Sequence, residues 1–491
     1  MQGVRAIGAG IVAAGLAAMA AAAAPGTTAA ARLAPLAAMA PSAMDRTGVA
    51  GLSLTVISGC GPAETAVFGA AHRGRPLHED TLFRVESISK PVTAWGVARL
   101  VQAGALSFDA PVAGLLGSAA PPGLGPAGEA LTLRHLLNHT SGLPIGDFTA
   151  RFPPAGPVPP LAGTLEREVV PRGVPGARFS YSDTGYNLAE LVIEQATGAD
   201  FAAVMMREVL DPLGMRDAGF DWTEETGARI ATGHDLAGRP VPPYVYPGRA
   251  SGGLIASAGD IAAFARAELG CDDRANLPPA TVARLHAPSI PVSGAMRLVA
   301  GHYGLGHFSD RLSDGRRTAW HGGQGFGWMS HLQLVPETGD AIVLLSNSQR
   351  AWPLFAELLA AWSAELGVRP VGMARILHVL QALTLAMILA AGAALVLVLR
   401  VGRGVIAGRL RPAPFAPGGR RARAAFAVAA AGIAGALGWA ATRDYLLVFS
   451  VAPHLSGPLA AACGALGAAA GLSALFAPVS PAPGDDTGNP P

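Results

Sequence analysis

An apolar run over residues 376–399, free of Asp, Glu, Lys and Arg, is long enough to cross a lipid bilayer as one helix. About 20 apolar residues span the roughly 30 Å hydrocarbon core, where the backbone must satisfy its own hydrogen bonds. Two Ala- and Gly-rich runs follow at 424–441 and 459–476, and an Ala-rich soluble helix is the alternative for each. Hydrophobic residues make up 51% of the chain, which also favours membrane segments. We therefore predict a module of three transmembrane helices within residues 369–491.

The loop between the first two apolar runs is strongly basic. It contains no acidic residue, and its arginines are Arg400, Arg403, Arg409, Arg411, Arg420, Arg421 and Arg423. Loops rich in Lys and Arg stay in the cytoplasm in membrane proteins. Followed back through one transmembrane helix, this places everything before residue 374 outside the cytoplasm.

The N-terminal segment predicts the same orientation. A basic start with Arg5 precedes an apolar run over 7–24 and small residues before Pro25, a pattern that describes an export signal. An uncleaved anchor is the structural alternative. The Ala- and Pro-rich residues that follow are interpreted as a leader or tether. Residues 1–44 are thus predicted to be signal and leader, and residues 45–368 to form the exported domain.

Cysteine use and net charge indicate the redox environment of the predicted exported domain and which ligands it is expected to bind. Cys60 and Cys271 both face the oxidising side in this topology and can pair, although the sequence does not give their separation in space. Cys463 falls in the third apolar run. The net charge is only +2 at pH 7, which gives no signal for nucleic-acid binding. No Cys and His spacing typical of a metal site occurs, and we expect neither a metal nor a cofactor.

Lys90 is the one lysine among 36 Lys and Arg residues. Arg stays protonated near neutral pH, whereas a buried or crowded ammonium can lose its proton. Ser87 lies three residues earlier, at the start of a segment, 87–101, whose apolar residues have helical spacing. Residues three apart share one face of a helix, so the hydroxyl and the amine can meet. This pattern is typical of a serine nucleophile activated by an amine; a capping serine beside a surface lysine is the structural alternative.

Tyr181 and Asp183 lie two residues apart in a polar loop and can both point into a cleft. A phenol beside an ammonium has its pKa lowered and can relay a proton. Ser182 or Asp183 can also cap the helix predicted over 186–197, and both interpretations can hold together. In the leucine-rich segment before this loop, we interpret His139 as a structural histidine rather than a catalytic base.

His321, Gly322, Gly323 and Gln324 follow a predicted strand that begins at Arg317. Glycines at this position leave the strand edge open to close backbone approach. A substrate amide can pair along such an edge, and a backbone N–H beyond it can complete an oxyanion hole. A simple glycine turn with an exposed histidine is the alternative.

Together these motifs resemble the serine β-lactamase and D,D-peptidase superfamily. Ser-x-x-Lys at 87–90, Tyr-Ser-Asp at 181–183 and His-Gly-Gly at 321–323 occur in the order typical of that superfamily. The resemblance covers about 45–365 and is closest to the branch with class C β-lactamases, D,D-carboxypeptidases, D-amino-acid amidases and related esterases. Three flanking phrases also resemble the family, at 137–143, 252–254 and 303–306.

The resemblance implies an α+β fold in which a five-stranded antiparallel sheet is flanked by helices and accompanied by a helical subdomain. The strand signals agree with this fold, since they occur at both ends of the exported domain. The predicted strands are 49–58, 64–71, 317–321, 328–335 and 341–345.

The resemblance also implies roles for individual residues. Ser87 would be the acylated nucleophile, and Lys90 would take or hold its proton. Tyr181 would be a general base or relay, and His321 would stand where many members carry lysine. The backbone N–H groups of Ser87 and Gln324 would form the oxyanion hole. Other substrate-binding positions would be Asp183, Gly322 and Gly323.

Two residues depart from the family pattern. Asp183 stands where the second motif usually has Asn, and its carboxylate would favour the charged form of Lys90. His321 replaces a lysine and is at most partly charged at neutral pH, so it would hold a substrate carboxylate less firmly. Both changes favour an esterase or amidase over a true β-lactamase.

The sequence thus predicts a membrane-anchored, extracytoplasmic serine hydrolase that acts through an acyl-enzyme on an ester or amide. Cell-wall peptides with D-amino acids are one candidate substrate. The alternative is a non-catalytic binding or regulatory protein of the cell envelope that keeps the cleft, which Asp183 leaves open. A Ser-His-Asp hydrolase is disfavoured because the chain has no Gly-x-Ser-x-Gly motif.

Overall fold

The computed structural model describes residues 27–72, 74–147, 149–415, 419–442 and 451–479. These residues fall into two compact units that divide after Ile376. The predicted export signal at 7–24 lies outside the described residues.

The first unit is built on an antiparallel sheet. The strands of this unit are β1 Gly51–Ile57, β2 Glu64–His72, β3 Arg75–Pro76, β4 Phe83–Arg84, β5 Ile255–Ala256, β6 Ile290–Pro291, β7 His302–Tyr303, β8 Phe308–Arg311, β9 Arg317–Gly325, β10 Trp328–Val335 and β11 Asp340–Ser346. Strands β4 and β5 pair with each other, apart from the main sheet. The order across the main sheet is β3-β2-β1-β11-β10-β9-β8-β7-β6. The first and last long strands, β1 and β11, are therefore neighbours, as strand signals at both ends of the domain predicted.

The main sheet has nine strands, and the prediction of five was wrong. The five strands predicted from the sequence are the long ones, β1, β2, β9, β10 and β11. The additional strands β3, β6 and β7 have two residues each and β8 has four. Segments this short are below the length at which alternation of apolar and polar residues can be recognised.

Helices surround the sheet and form the subdomain between β4 and β6. In chain order they are α1 Ala29–Thr47, α2 Ser89–Gln102, α3 Val112–Leu116, α4 Ala127–Ala130, α5 Leu133–Leu137, α6 Leu161–Glu168, α7 Asp183–Thr197, α8 Phe201–Met205, α9 Asp211–Leu213, α10 Glu224–Arg229, α11 Ala258–Glu268, α12 Pro279–His286 and α13 Trp352–Glu365. Helix α11 packs on β1, β10 and β11, and α1 packs on α13 and β1. Every residue of β1, β10 and β11 is buried, so both faces of the sheet are covered.

Helix α1 is part of this domain, although the sequence analysis placed most of it in a leader ending at residue 44. Leu36 and Ala40 are fully buried, and the helix packs on α13, β1 and β2. The buried residues have helical spacing. The Ala- and Pro-rich composition obscured this pattern, because Pro35 and Pro41 both lie inside the helix. The folded domain therefore begins before residue 45.

Cys60 and Cys271 form a disulfide, the pairing that the sequence left open. The bond joins the turn after β1 to the segment after α11. Arg266 of α11 donates to the carbonyl oxygens of both residues, to Cys60 O at 3.0 Å and to Cys271 O at 2.7 Å. The guanidinium therefore holds the two backbones on either side of the covalent link.

The C-terminal part contains the three predicted apolar helices, each long and apolar enough to cross a membrane: α14 Ile376–Ile406, α15 Arg420–Ala441 and α16 Ser456–Leu475. Helices α15 and α16 pack closely, since a Cβ on Gly467 would lie 3.1 Å from Ile433 Cγ2. Two short strands, β12 Leu410–Pro412 and β13 Phe476–Pro478, pair at the ends of these helices.

Candidate active site

The turn that carries Ser87 has an unusual backbone conformation. A 3₁₀ turn over Glu86–Ile88 leads into α2, and Glu86 has a φ of 50°, in the left-handed region that residues with side chains rarely adopt. Ser89 Oγ fixes this turn, because it donates to Glu86 O at 2.6 Å and accepts from the Leu254 N–H at 3.0 Å. Such strain persists where the surroundings over-determine it, often at functional sites. Ser87 is half-buried between two buried neighbours, so the turn presents it to the surface.

Lys90 is fully buried beneath this turn. Its Nζ donates to Ser87 Oγ at 3.0 Å and to the carbonyl oxygen of Ser251 at 2.7 Å. The same atom lies 2.6 Å from Asp183 Oδ1. The structure thus brings Ser87 and Lys90 together across one helical turn, as their spacing predicted.

Asp183 keeps this amine charged, as the sequence analysis expected of a carboxylate at that position. Burial lowers the pKa of Lys90, but the Asp183 carboxylate and the Tyr181 phenol beside the amine together outweigh burial, and the pKa lies above its usual value. Lys90 is therefore an ammonium ion at neutral pH. An ammonium nitrogen has no lone pair, so Lys90 can accept the Ser87 proton only if it donates one of its own protons at the same time.

Tyr181 also lies next to Lys90. The Lys90 Nζ atom is 4.9 Å from the centre of its ring, and the phenol hydrogen bonds with both Lys90 and Ser87. Burial raises the pKa of Tyr181; Lys90 lowers it and Asp183 raises it further, so the pKa lies above its usual value. The expected lowering of this pKa was wrong, because the sequence does not reveal that the effect of burial outweighs the charge of Lys90. Tyr181 is a neutral phenol near pH 7 and can donate a proton.

His139 holds the loop that carries Tyr181, which confirms its structural interpretation. Its carbonyl oxygen accepts the Ser180 N–H at 2.7 Å, and its Nδ1 accepts the Ser182 N–H at 3.1 Å. Its ring packs on Tyr181 with 4.1 Å between centroids. Burial and then the charge of Lys90 hold its pKa well below 6.5, so the ring stays neutral.

His321 is buried, which excludes the alternative of an exposed histidine at a glycine turn. Its Nδ1 donates to the Gly322 carbonyl oxygen at 2.8 Å, and its Nε2 accepts from the Tyr303 hydroxyl at 3.0 Å. Burial, followed by the charge of Lys90, holds its pKa well below 6.5. The ring centroid lies 6.3 Å from that of Tyr181. His321 therefore borders the cluster as a neutral group and offers no positive charge to a substrate carboxylate.

The glycines after this histidine differ in what surrounds them. Strand β9 packs on the Glu86–Ile88 turn. A Cβ on Gly323 would overlap the Val85 carbonyl oxygen and Ser330 Oγ, whereas a Cβ on Gly322 would lie 3.7 Å from the nearest atom, an ordinary contact. Gly323 is therefore required for β9 to approach the turn. Gly322 is half-buried and has room for a larger side chain.

Gln324 is positioned by two anchors. Its backbone lies in register with Met329 of β10. Its side-chain Oε1 accepts the indole N–H of Trp352 at 2.8 Å. The strand pairing and this side-chain contact fix the end of β9 beside the turn that carries Ser87.

A buried network that was not predicted from the sequence lies directly behind the nucleophile turn. Glu86 Oε1 accepts from Arg84 Nε at 3.2 Å and from the Tyr244 hydroxyl at 3.0 Å, and Oε2 accepts from the Tyr246 hydroxyl at 3.1 Å. A Cβ on Gly325 would overlap the same carboxylate. Burial raises the pKa of Glu86, and its partners only partly offset this effect. The one signal in the sequence was an acidic residue next to the serine, since the tyrosines are remote along the chain.

The family model described as Beta-lactamase matches residues 36–364. The chain belongs to this family. The family consists of serine hydrolases, among them β-lactamases, esterases, amidases and penicillin-binding proteins. The resemblance inferred from the three motifs is thereby confirmed, and so is the α+β fold, with the enlarged sheet described above.

Individual members of the Beta-lactamase family show how far the likeness extends. The human protein beta-lactamase-like 1 is 32% identical over 319 residues, which cover 63% of each chain. Esterase EstB of Burkholderia gladioli is 36% identical over 159 residues, covering 30% of this chain and 40% of the esterase. The chain thus matches less than two thirds of the length of either relative. The structure of the octameric penicillin-binding protein homologue from Pyrococcus abyssi has 26% identity and a TM-score of 0.60, over 69% of this chain and 78% of that one.

Proposed function

We propose that this protein is a membrane-anchored serine hydrolase that acts outside the cytoplasm through an acyl-enzyme on Ser87. The observation that carries the proposal is the 3.0 Å contact between Ser87 Oγ and the buried Nζ of Lys90. A serine hydroxyl is a weak nucleophile unless a neighbouring group takes its proton. Here an amine, a carboxylate and a phenol all lie within hydrogen-bonding reach of the hydroxyl or of one another.

The charge state of Lys90 defines the proton path in this proposal. Ser87 Oγ attacks the carbonyl carbon of an ester or amide while its proton passes to Lys90 Nζ. Lys90 gives one of its own protons to Asp183 Oδ1 at the same time, so the ammonium charge is conserved. Collapse of the tetrahedral intermediate breaks the bond to the leaving alcohol or amine, which takes a proton from Tyr181 or Lys90. Water then attacks the acyl group and gives a proton to the group that protonated the leaving group. As the bond between the acyl carbon and Ser87 Oγ breaks, the proton held by Asp183 returns through Lys90 to Ser87 Oγ.

The oxyanion of the tetrahedral intermediate is assigned to the backbone N–H groups of Ser87 and Gln324. The close approach of β9 to the nucleophile turn, which Gly323 permits, supports this assignment. Donors fixed by the strand and the turn need no reorganisation when charge develops on the carbonyl oxygen. Removal of one such donor typically costs about 10²–10³ in kcat.

The electrostatics of the site favour a substrate whose recognised end carries no carboxylate. His321 is neutral, and the charge of Lys90 is already paired with Asp183. Esters and amides of neutral acyl groups fit these conditions better than penicillins, and the similarity to an esterase supports the same choice. Cell-wall peptides with D-amino acids remain the amide candidates to test.

The three apolar helices and the arginine-rich segment between the first two of them support the proposed orientation. A protease added to intact spheroplasts is expected to cleave largely exposed loops of the domain, such as residues 170–176. Cleavage only after the membrane is opened would contradict an extracytoplasmic site. A tag inside the arginine-rich segment serves as the cytoplasmic control.

Intact-mass spectrometry tests the hydrolase directly. The full-length chain in detergent is incubated with activated esters, D-amino-acid amides, β-lactams and a fluorophosphonate. We expect an adduct with at least one of them, and its absence in Ser87→Ala. The exposed Ser118→Ala variant is the matched control and should retain the adduct. An adduct that persists in Ser87→Ala would refute the assignment.

A non-catalytic receptor of the cell envelope is the second candidate, because Asp183 holds Lys90 in its charged form. Such a receptor would form no adduct with any compound of the panel. It would still bind a cell-wall peptide reversibly, which calorimetry would detect.

A further inference from the structure

A second buried cluster of polar side chains lies outside the Ser87 site. Glu268 ends α11, His286 ends α12, and His307 lies just before β8. Each offers one ligand atom, and these atoms lie within 4.8 Å of one another. The side chains of Glu268 and His307 are 0% exposed and that of His286 is 9% exposed. Three separate elements therefore direct ligand atoms to one buried point.

Hydrogen-bond geometry fixes how His307 faces this point. Its Nδ1 lies 3.2 Å from the Leu305 carbonyl oxygen, which can only accept, so Nδ1 carries a hydrogen. Its Nε2 lies 2.8 Å from Glu268 Oε1. A neutral His307 therefore directs a lone pair at a carboxylate oxygen. This contact is repulsive unless a proton or a metal ion lies between the two atoms.

The ligand atoms have no other partner. In the part of the chain that the structure describes, no hydrogen bond from outside the cluster satisfies Nε2 of either histidine or either carboxylate oxygen of Glu268. An unsatisfied buried polar group costs about 1–3 kcal/mol. A proton shared by Glu268 and His307 would leave His286 Nε2, 3.6 Å from the same oxygen, without a partner. One ion would satisfy all three side chains.

We propose that Glu268, His286 and His307 bind a divalent transition-metal ion of the zinc type. Two imidazole nitrogens and a carboxylate oxygen form a ligand set typical of zinc, whereas Mg²⁺ and Ca²⁺ prefer oxygen ligands. Ligands bonded at about 2.0–2.1 Å in a tetrahedron are roughly 3.3 Å apart. The nitrogen–oxygen distances of 2.8 and 3.6 Å bracket this separation.

A neighbouring cavity gives the ion access and a fourth ligand. The cavity has a volume of about 360 Å³, and its lining includes Glu268, His286, Ser309 and Thr318. Water can reach the fourth position from this side, as an ion with three protein ligands requires. An entry path is one of the conditions for a real metal site.

The ion would brace a loop that also supports the Ser87 site. His307 ends the segment 303–307, in which Tyr303 hydrogen bonds to His321 at 3.0 Å. A Cβ on Gly306 of the same segment would lie 3.2 Å from the Lys90 carbonyl oxygen. The metal would therefore tie α11 and α12 to the loop behind the active site. Metal binding itself does not depend on the chemistry proposed for Ser87.

Elemental analysis of the full-length chain in detergent tests this site. The protein is stripped with a chelator, dialysed against Zn²⁺, Mn²⁺, Mg²⁺ or Ca²⁺, and then analysed. We expect about one zinc per chain and a melting temperature that rises with zinc concentration. His307→Asn and Glu268→Gln should weaken zinc binding at least tenfold, roughly the scale known for weaker perturbations of metal sites. His302→Asn changes an exposed histidine of the same region and should bind zinc like the unmodified chain.

Cobalt supplies a spectroscopic test that does not depend on how stable these variants are. Co²⁺ bound to the unmodified chain should show the strong visible bands of a tetrahedral site. In His307→Cys, a thiolate would join the ligands, and a sulfur-to-cobalt band should appear. The proposal is overturned if the unmodified chain retains no zinc and its melting temperature does not respond. It is equally overturned if cobalt binds to His307→Cys without that band, since the ion would then lie elsewhere.

Discussion

The Nζ atom of Lys90 lies 2.6 Å from Oδ1 of Asp183, and Lys90 is fully buried. This pair favours the charged form of the amine, because the carboxylate, together with the Tyr181 phenol, outweighs the effect of burial on the pKa of Lys90. The base proposed to accept the Ser87 proton is therefore a two-residue unit. An asparagine side chain, which is not a base, could not complete such a unit.

Asp183→Asn tests this pairing. With no acceptor for the ammonium proton, kcat/KM for an activated ester should fall by about 10²–10⁴ near neutral pH, the range of general base catalysis. The pKa of Lys90 should also fall, because burial is no longer opposed by the carboxylate. Activity should therefore recover as the pH rises and the amine itself becomes the base. The measurement is the pH profile of kcat/KM.

A matched control is Asp147→Asn, since this exposed carboxylate accepts hydrogen bonds from Thr149 instead of from Lys90. It should keep the original profile. A wild-type rate in Asp183→Asn at neutral pH would exclude the proton path through the carboxylate. A loss of activity that no pH restores would point to a structural role for Asp183.

The two glycines of the third motif should respond differently to one added methyl group. Gly323→Ala would overlap the Val85 carbonyl oxygen, so the strand or the Ser87 turn must shift. Overpacking of this kind typically costs about 1–3 kcal/mol, and a displaced turn should also slow acylation. Gly322→Ala meets only ordinary contacts and should change stability by less than about 0.5 kcal/mol. Thermal unfolding and acylation rates of both variants check this difference, and equal effects would contradict it.

Features with a local signal in the sequence could be predicted. Alternation or a continuous apolar run predicted the long strands. The spacing of Ser87 and Lys90 predicted that they meet across one helical turn. The contact between Lys90 and Asp183 joins segments far apart in the chain, and only the family resemblance placed it. The raised pKa of Tyr181 could not be predicted, because its sign depends on burial. Glu268, His286 and His307 share no local spacing, so their cluster was also invisible in the sequence.

Acid should destabilise the domain through its buried neutral histidines. The folded-state pKa of His321 lies well below 6.5, because of burial and the charge of Lys90. Below about pH 6.5 the unfolded chain binds more protons at this residue than the folded chain does. Stability is therefore full above that pH and is lost as the pH falls. The melting temperature is measured with a chelator present. Between pH 7 and 5 it should fall less steeply in His321→Gln than in the unmodified chain, and the difference should correspond to the uptake of about one proton on unfolding.

The exposed His78→Gln provides the control for this comparison and should follow the unmodified chain. If the melting temperature fell equally steeply with pH in His321→Gln and in the unmodified chain, His321 would take up its proton in the folded state without loss of stability. Activity offers a second measurement. Because His321 is already neutral, the kcat/KM profile should show no inflection from it near pH 6.5.

The ion pair between Arg84 and Glu86 should stabilise the nucleophile turn only while both charges are present. Both side chains are 3% exposed. Glu86→Gln leaves Arg84 buried without a counter-charge, which typically costs about 3–5 kcal/mol. Tyr246→Phe removes one hydrogen bond to the same carboxylate and should cost about 1–3 kcal/mol. Replacement of both charges in Arg84→Met with Glu86→Gln should recover much of the loss, because no buried charge is left unpaired.

Acylation separates the positioning role of this network from its effect on stability. Glu86 does not contact the substrate in the proposed mechanism, but it is the residue before Ser87 and has a φ of 50°. The double variant should therefore be folded and yet acylate more slowly, with kcat reduced more than KM is raised, because an amide replaces the carboxylate that accepts from both Tyr244 and Tyr246. If the double variant regained full activity together with stability, the network would serve folding alone, and the tight backbone at Glu86 would not need the carboxylate to hold Ser87 in place.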